Sequence, residues 1–523
     1  MRLLLSCCAA AAALAAAAPT PDATVAVAAT VTGTAADAFQ WTGVNLDFWP
    51  ATKPKWGLAG ALNLDLENPR LRALAGGLRG SLLRLGGSPA DFLLYGVSAD
   101  ACSPANLNRT QPVPGNAYFC PIWDQTAGQC LTLQRWQALL AFAADAGLAL
   151  VLDLNACWGR ASPQGDMDWT QIEGLLAATA AARGSWGAAL WGVEFGNEVY
   201  DNIAAARYGA SMLRLRTTLD ALWPPPARAP RVLGPDAWES DLSPAYYRAM
   251  LNASAQPDGA PNAMHAVTFH EYADDCCTPT AGAVLNVSCL DALFARPAWV
   301  RDLAAEYGVR VWNGEGALHA YSGQAGLTDT AISTLYYLHA LGSYADSNFG
   351  LFSRQSLAGG DYELVNRTTF LPTPDYWGLL LWRQVVGSRA LAAAVAGSGG
   401  SGAAAPPALR AHAFCASASG GLAVLLVNFA AAAPVSVALQ CPQPQPGQQA
   451  QLYVLTGVPG YSDGDGASEA YRLALNGQVL ALGADGALPA LAPVGIAADA
   501  VVTLPPASAA FVVLPGAQAG VCA

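Results

Sequence analysis

Two glutamates have the residue type and setting for paired acid–base and nucleophilic chemistry. Glu198 closes the run Trp191-Gly-Val-Glu-Phe-Gly-Asn-Glu198, and Glu315 closes Val309-Arg-Val-Trp-Asn-Gly-Glu315. Each ends a short apolar run of the kind a buried parallel strand shows, which puts both carboxylates at strand C-terminal ends, where barrel enzymes keep their reacting groups. A lone glutamate there is also what an ordinary strand end meeting water looks like. The pair changes that balance, because hydrolysing a sugar acetal with retention needs one carboxyl group to protonate the leaving oxygen and another, roughly 5 Å away, to attack the anomeric carbon. Asn197, directly before Glu198, adds an amide that can hold the sugar 2-hydroxyl, a contact that strengthens as the oxocarbenium-like state forms.

Strands and helices must alternate to bring these two groups together. Eight strand-like runs are predicted at residues 39–47, 82–86, 149–155, 191–196, 230–234, 266–270, 309–314 and 349–354, separated by alanine- and leucine-rich stretches of helical period such as 136–146, 169–182 and 329–341. At this length the alternation predicts a (β/α)8 TIM barrel over residues 36–385, with the glutamates after its fourth and seventh strands. Residues 96–130 hold three cysteines, a sequon and four prolines, too much for a simple loop, and are read as a stapled flap near the active face. Beyond residue 386 short β-like runs (422–429, 451–456, 511–514) between Gly/Pro/Ser turns predict a C-terminal β-sandwich to residue 523; the alternating run 23–32, within segment 21–35, is a candidate added strand. The Ala/Gly-rich segment 396–407 and residues 457–467 read as surface loops.

The first 20 residues, Met1-Arg-Leu-Leu-Leu-Ser-Cys-Cys and then an alanine-rich run, predict a signal peptide. The product is then a secreted protein of the extracellular space, the cell wall or an acidic vacuole or lysosome-like compartment, without membrane insertion. Ten cysteines remain after residue 20, at spacings that match no zinc pattern, and the five histidines are scattered, so disulfides are expected and neither metal nor cofactor. Sequons at Asn108, Asn252, Asn286 and Asn366 fit a glycoprotein. A net charge of −12 with no basic cluster excludes nucleic acid and weighs against highly sulfated glycans as partners. Nothing points to an oligomer, so a monomer is expected.

With these residues placed, the chain resembles the heparanase-like family of retaining β-glucuronidases, most of all its plant branch. The resemblance rests on Leu62-Asn-Leu-Asp-Leu-Glu-Asn-Pro69, Arg84-Leu-Gly-Gly-Ser88, Gly128-Gln-Cys130 with Arg135-Trp136, Gly196-Asn-Glu198, Gly314-Glu315, Ser353-Arg-Gln-Ser-Leu-Ala-Gly-Gly-Asp-Tyr362 and Pro374-Asp-Tyr-Trp377. It implies a (β/α)8 barrel with a β-sandwich, Glu198 as acid/base and Glu315 as nucleophile. It further implies that Asp47, Ser88, Asn197, Gln355 and Asp361 line the sugar subsite and that Tyr272 orients the nucleophile. The loop after the nucleophile (Tyr321, Ser322, Gly323), together with Tyr362, would receive the glucuronate carboxylate, and Cys415 and Cys522 would form a disulfide tying the first and last strands of the sandwich. Asp274 and Asp275 stand where basic or neutral residues are expected, which turns the expectation from heparan sulfate towards less charged glucuronic-acid-containing glycans or small glucuronides. The alternatives are another retaining β-glycosidase, for xylosides or glucosides, and a non-catalytic glycan-binding wall protein.

Overall fold

The computed structural model describes residues 20–104, 107, 129–159, 165–199, 202–238, 243–275, 280–397, 404, 406–418, 420–442, 447–458, 472–517 and 520–522. Nearly all of the expected signal peptide, the sequon at Asn108, Cys120, Cys276, Cys277 and most of the 96–130 excursion lie outside them.

Strand β1 (Ala23–Thr34) precedes the barrel, whose strands are β2 (Trp41–Asp47), β3 (Leu82–Gly86), β6 (Ala149–Leu154), β7 (Leu190–Phe195), β8 (Arg231–Trp238), β9 (Ala266–Tyr272), β10 (Arg310–Ala317) and β11 (Leu351–Arg354). A parallel ribbon of β4 (Leu93–Gly96) and β5 (Gln129–Thr132) is inserted after β3. The eight strands close in the order β10, β11, β2, β3, β6, β7, β8, β9, every pairing parallel. This is the predicted TIM barrel, with each predicted strand in its place. The strands read as nearly unbroken apolar runs because both of their faces are covered, one by side chains filling the barrel and the other by helices. The helix Leu133–Ala146 shows how the outer layer is made: Thr132 caps it through the Arg135 N–H, Trp136, Leu139, Leu140 and Ala143 form its buried face, and Gly147 ends it at a φ of +70°.

Two strands are irregular near their C-terminal ends. In β10 the pairing with β9 skips from Asn313 to Glu315, leaving Gly314 as a bulge, and the strand then runs on to Ala317 past its predicted end. In β8 the register skips from Gly234 to Ala237, and Asp236 takes a φ of +50°. Bulges re-aim side chains, and these two turn Glu315 and Asp236 to the same place.

The remaining strands are β12 (Val386–Gly397), β13 (Leu409–Ala416), β14 (Leu422–Asn428), β15 (Val435–Gln440), β16 (Gln449–Val458), β17 (Arg472–Leu475), β18 (Gln478–Val479), β19 (Val494–Ala497), β20 (Val502–Leu504) and β21 (Ser508–Leu514). They form one eleven-stranded sheet that β1 enters between β12 and β15. One face of the central strands, with Phe414, Leu425, Val427 and Phe511, joins the barrel core. The alternate residues share a separate core with Val25, Val437 and Ala450 from the flanking strands, so the sheet is folded over itself. The two units also meet in a buried polar chain running Asp291, His339, His412, Asp346 at 3.0, 3.0 and 2.7 Å.

Cys415 and Cys522 are bonded, as the resemblance implies, and join β13 to the turn Gly520–Cys522 that follows the last strand, β21. Cys102 and Cys130 close the base of the 96–130 excursion, Cys157 and Cys289 are also oxidised, and Cys441 is a free thiol. No described helix is long and apolar enough to cross a membrane.

Candidate active site

At the C-terminal end of β7 the chain makes a sharp turn. Gly196 has a φ of +84°, and a Cβ there would lie 2.6 Å from both Ala156 and Val199, so only glycine fits. Asn197 donates its N–H to Asp91 Oδ2 at 2.9 Å, and Glu198, itself at a φ of +56°, donates its N–H to the Asp236 carbonyl at 2.9 Å. A glutamate in the left-handed region is strained by about 1 kcal/mol or more and persists only where its surroundings hold it. Here the bonds to Asp91 and Asp236 do so.

Glu315 faces Glu198 across the barrel mouth, and it is held at both oxygens. Tyr272, at the end of β9, donates to Oε1 at 2.5 Å, and Arg84, from β3, donates through Nη1 to Oε2 at 2.9 Å. Burial and the neighbouring Glu315 push the Tyr272 phenol well above its ordinary value, so it keeps the proton that it donates. Arg84 is 1% exposed and also donates to Glu194 at 2.6 Å, to Asn197 Oδ1 at 2.9 Å and to Asp236 at 3.3 Å, with Asp153 at 3.6 Å. Burial alone would lower its pKa, but the carboxylates around it more than compensate and it stays a cation.

His270, on β9, lies between the two glutamates. Its Nδ1 is 2.8 Å from Glu198 Oε1 and 4.0 Å from Glu315 Oε2, and its Nε2 is 3.3 Å from Asp236 Oδ1. Burial opposes its charge, yet Glu315, Asp236 and Glu198 together raise its pKa to about 10, so it is an imidazolium at neutral pH. Burial raises the Glu198 carboxyl above its ordinary range, and the hydrogen bond from His270 is the main influence against that rise. Ligating atoms of Glu198, His270 and Glu315 lie within 4.8 Å of one another, close enough to share an ion. Glu315 already accepts from Arg84 and Tyr272, and His270 lies between Glu198 and Asp236, an arrangement that suits proton handling.

Beside Glu315, Asp47 Oδ2 accepts from Trp49 Nε1 at 3.0 Å and from Gln355 Nε2 at 2.7 Å. Asp47 Oδ1 and Gln355 Oε1 are buried without a hydrogen-bond partner, two acceptors left over for hydroxyl groups. Burial, reinforced by Glu315, raises Asp47 to about 7. Ser88 is half-buried and follows Gly87, whose backbone packs directly on the Asp47 carboxyl. Trp49, Trp56, Tyr272, Ala317, Ala320 and Tyr362 form an aromatic wall against which Trp238 stacks, 5.2 Å from Tyr272.

The groups expected to receive the glucuronate carboxylate lie in the loop after Glu315 and at Tyr362. Tyr321, Ser322 and Gly323 all have φ between +52° and +71°, and the Gly323 N–H is spent on the Ala320 carbonyl at 3.0 Å, so it is no free donor. Tyr321 is 81% exposed, whereas Tyr362 is buried in the aromatic wall. Asp361 pairs with Lys55 at 2.9 Å and with Arg367 at 3.0 Å. Ser322 does reach the wall, its Oγ accepting from Trp56 Nε1 at 2.9 Å. Asp274 is bonded inside the loop, to His319 at 2.5 Å and to the Ala320 N–H at 2.6 Å. Among the described sequons, Asn252 and Asn286 are exposed, and Asn366 is half-buried with its Oδ1 holding a turn at Thr368 and Thr369.

Arg84, His270, Asp236 and the tryptophans of the wall were not singled out from the sequence. Arg84 and His270 did carry a signal, a charged or titratable side chain inside a strand otherwise apolar, as in Leu82-Leu-Arg-Leu and Thr268-Phe-His-Glu. Asp236 had none, because its placement depends on the bulge.

A closed parallel barrel with two facing carboxyl groups at its C-terminal end, an aromatic wall and unsatisfied hydroxyl acceptors defines a glycoside hydrolase. Residues 22–342, more than half of the chain, match the family model described as glycosyl hydrolase family 79, N-terminal domain, and the chain belongs to that family. Heparanase-like protein 3 of Arabidopsis thaliana is 27% identical over 91% of this chain and 90% of that protein. Baicalin-beta-D-glucuronidase of Scutellaria baicalensis is 26% identical over 90% and 88%, and heparanase of Gallus gallus is 26% identical over 87% and 90%. Among solved structures, a 4-O-alpha-L-rhamnosyl-beta-D-glucuronidase from Fusarium oxysporum 12S superposes with a TM-score of 0.59 at 15% identity, covering 94% of this chain and all of that one. A GH51 arabinofuranosidase from Xanthomonas axonopodis pv. citri gives 0.61 at 16%, with the same coverage. At such identities the structural likeness shows the fold alone.

Proposed function

We propose that the protein is a retaining β-glucuronidase that releases β-linked glucuronic acid from glycans or small glucuronides. The observation that carries the mechanism is the approach of the two carboxyl groups, whose oxygens come within 4.8 Å. That is close to the roughly 5–5.5 Å used for double displacement and short of the roughly 6.5–9.5 Å that leaves room for a water in an inverting site. Glu198, whose pKa burial raises, acts as the acid that protonates the leaving oxygen. Glu315, whose two oxygens accept from Tyr272 and Arg84, attacks the anomeric carbon to form a glycosyl-enzyme. Water then attacks that carbon while Glu198 takes its proton, and the enzyme returns to its starting state. Asn197, held by Asp91 and Arg84, is placed to bind the 2-hydroxyl, and Asp47 with Gln355 the other hydroxyls.

Glucuronate as the sugar is supported by the relatives, one of which is named a β-D-glucuronidase, and by the Ser322–Tyr362 corner beside the wall. The disulfides favour an oxidising compartment, in keeping with secretion. Hydrolysis of matched aryl β-D-glucuronide and β-D-glucoside by the purified protein tests the assignment. Turnover of the glucuronide with little of the glucoside, lost in Glu198→Gln and Glu315→Gln, is expected. Preference for the glucoside would move the protein to another specificity, and binding without turnover would make it a glycan-binding protein.

A further inference from the structure

Of the 26 basic Lys and Arg residues in the chain, only two are lysines, Lys53 and Lys55, and both belong to the segment Thr52-Lys-Pro-Lys-Trp56 that follows β2. Their surroundings tie this segment to the loops around the sugar subsite. Lys55 Nζ donates to the Gly323 carbonyl at 2.7 Å and pairs with Asp361 at 2.9 Å, while the Lys55 carbonyl accepts from the Gly360 N–H at 2.9 Å. One residue thus bonds both to the turn of residues 321–323 and to the stretch before Tyr362. Trp56 repeats the tie, through Ser322 Oγ and through its ring, which meets Tyr362 edge-on at 6.5 Å. Lys53 places its ammonium 4.1 Å over Trp49, whose indole N–H holds Asp47.

The bland account is a surface ion pair, which contributes little to folding. The geometry says more. The Lys55 side chain is 41% exposed, and its ammonium fixes where a strained turn stands. It also brings a positive charge to the rim of the cleft that holds the Asp47, Glu198 and Glu315 carboxyls, where an anionic sugar group would meet it.

Resting on the glucuronidase reading, we propose that Lys55 is the positioning residue that makes this cleft select a sugar bearing a carboxylate at C5. It does so by holding the Ser322 turn against Tyr362 and by adding a cation at the rim. Neutral sugars of the same configuration gain nothing from either effect.

The test compares Lys55→Met and Lys55→Arg with wild type, using KM and kcat on an aryl β-D-glucuronide and competitive inhibition by free D-glucuronate and by D-glucose. Lys55→Met is expected to raise KM and the glucuronate inhibition constant about tenfold with kcat within about threefold, to leave the glucose constant unchanged, and to be largely rescued by Lys55→Arg. Because the other primary amines are Lys53 and the chain terminus, acetylating the folded Lys53→Arg variant should reproduce the loss, and the Lys53→Arg/Lys55→Arg double variant should resist it. An equal loss for both sugars, no rescue by arginine, or unchanged KM after Lys55 is shown by mass to be acetylated would overturn the proposal. A wild type that binds glucose as well as glucuronate would instead overturn the glucuronidase reading, a result distinguishable because it appears before any substitution is made.

Discussion

Arg84 Nη1 donates to Glu315 Oε2 at 2.9 Å from a side chain that is almost wholly buried. The same guanidinium holds Glu194, Asp236 and Asn197, so a single cation on β3 orders groups from β7, β8 and β10. Arg84→Met leaves several buried carboxyl groups without their counter-charge. It is expected to cost about 3–5 kcal/mol of stability, read by chemical denaturation, as when one member of a buried ion network is removed. A variant as stable as wild type would show that these carboxyl groups are neutral in the fold.

His270→Asn changes the pH profile in a direction that the geometry fixes. The hydrogen bond from His270 favours the ionised form of Glu198 and so holds its pKa down against burial. Without it Glu198 keeps its proton to higher pH, and the basic limb of kcat/KM is expected to move upward, with a loss of roughly tenfold or more at the optimum. An unmoved or downward-shifted limb would exclude Glu198 as the acid that His270 tunes.

Asp47 couples stability to function. Its folded pKa of about 7 lies above the ordinary 3.8, so the folded state binds this proton more tightly than the unfolded one. Stability from this group is therefore full below pH 3.8, falls as pH rises towards 7 and stays lost above. In Asp47→Asn the amide oxygen can still accept from Trp49 and Gln355, and its NH2 replaces the unpartnered Oδ1. The variant is expected to melt higher than wild type at pH 8 and about equally at pH 4, while losing activity on the glucuronide at both. A lower melting temperature at pH 8 would show that the ionised carboxylate is needed by the fold.

The Cys415–Cys522 bond spans 107 residues. On the chain-entropy account, removing it as Cys415→Ala/Cys522→Ala costs about 4–5 kcal/mol. Because it lies in the sheet unit, far in sequence from both glutamates, kcat of the folded fraction should not change. A change in kcat at temperatures where the variant remains folded would reveal coupling between the sheet and the site.

The barrel was legible because its strands and helices repeat with different periods, and Glu198 and Glu315 because each ends an apolar run. The Gly314 bulge was not, since a bulge depends on pairing with β9, and so the strand containing Glu315 ran past its predicted end. The partners of Asp361 and Gly323 could not be read either, since Lys55 reaches both only once distant segments fold together. Arg84 stood inside a quoted motif without a role, since a single sequence does not say which carboxyl groups will surround it.

The approach of Glu198 and Glu315 is most directly tested by the stereochemistry of the first product. Proton NMR during rapid hydrolysis of an aryl β-D-glucuronide should show β-glucuronic acid first, with the α anomer growing in only by mutarotation, as double displacement requires. Initial formation of the α anomer would contradict the account, because it would mean that water, not Glu315, attacks the anomeric carbon.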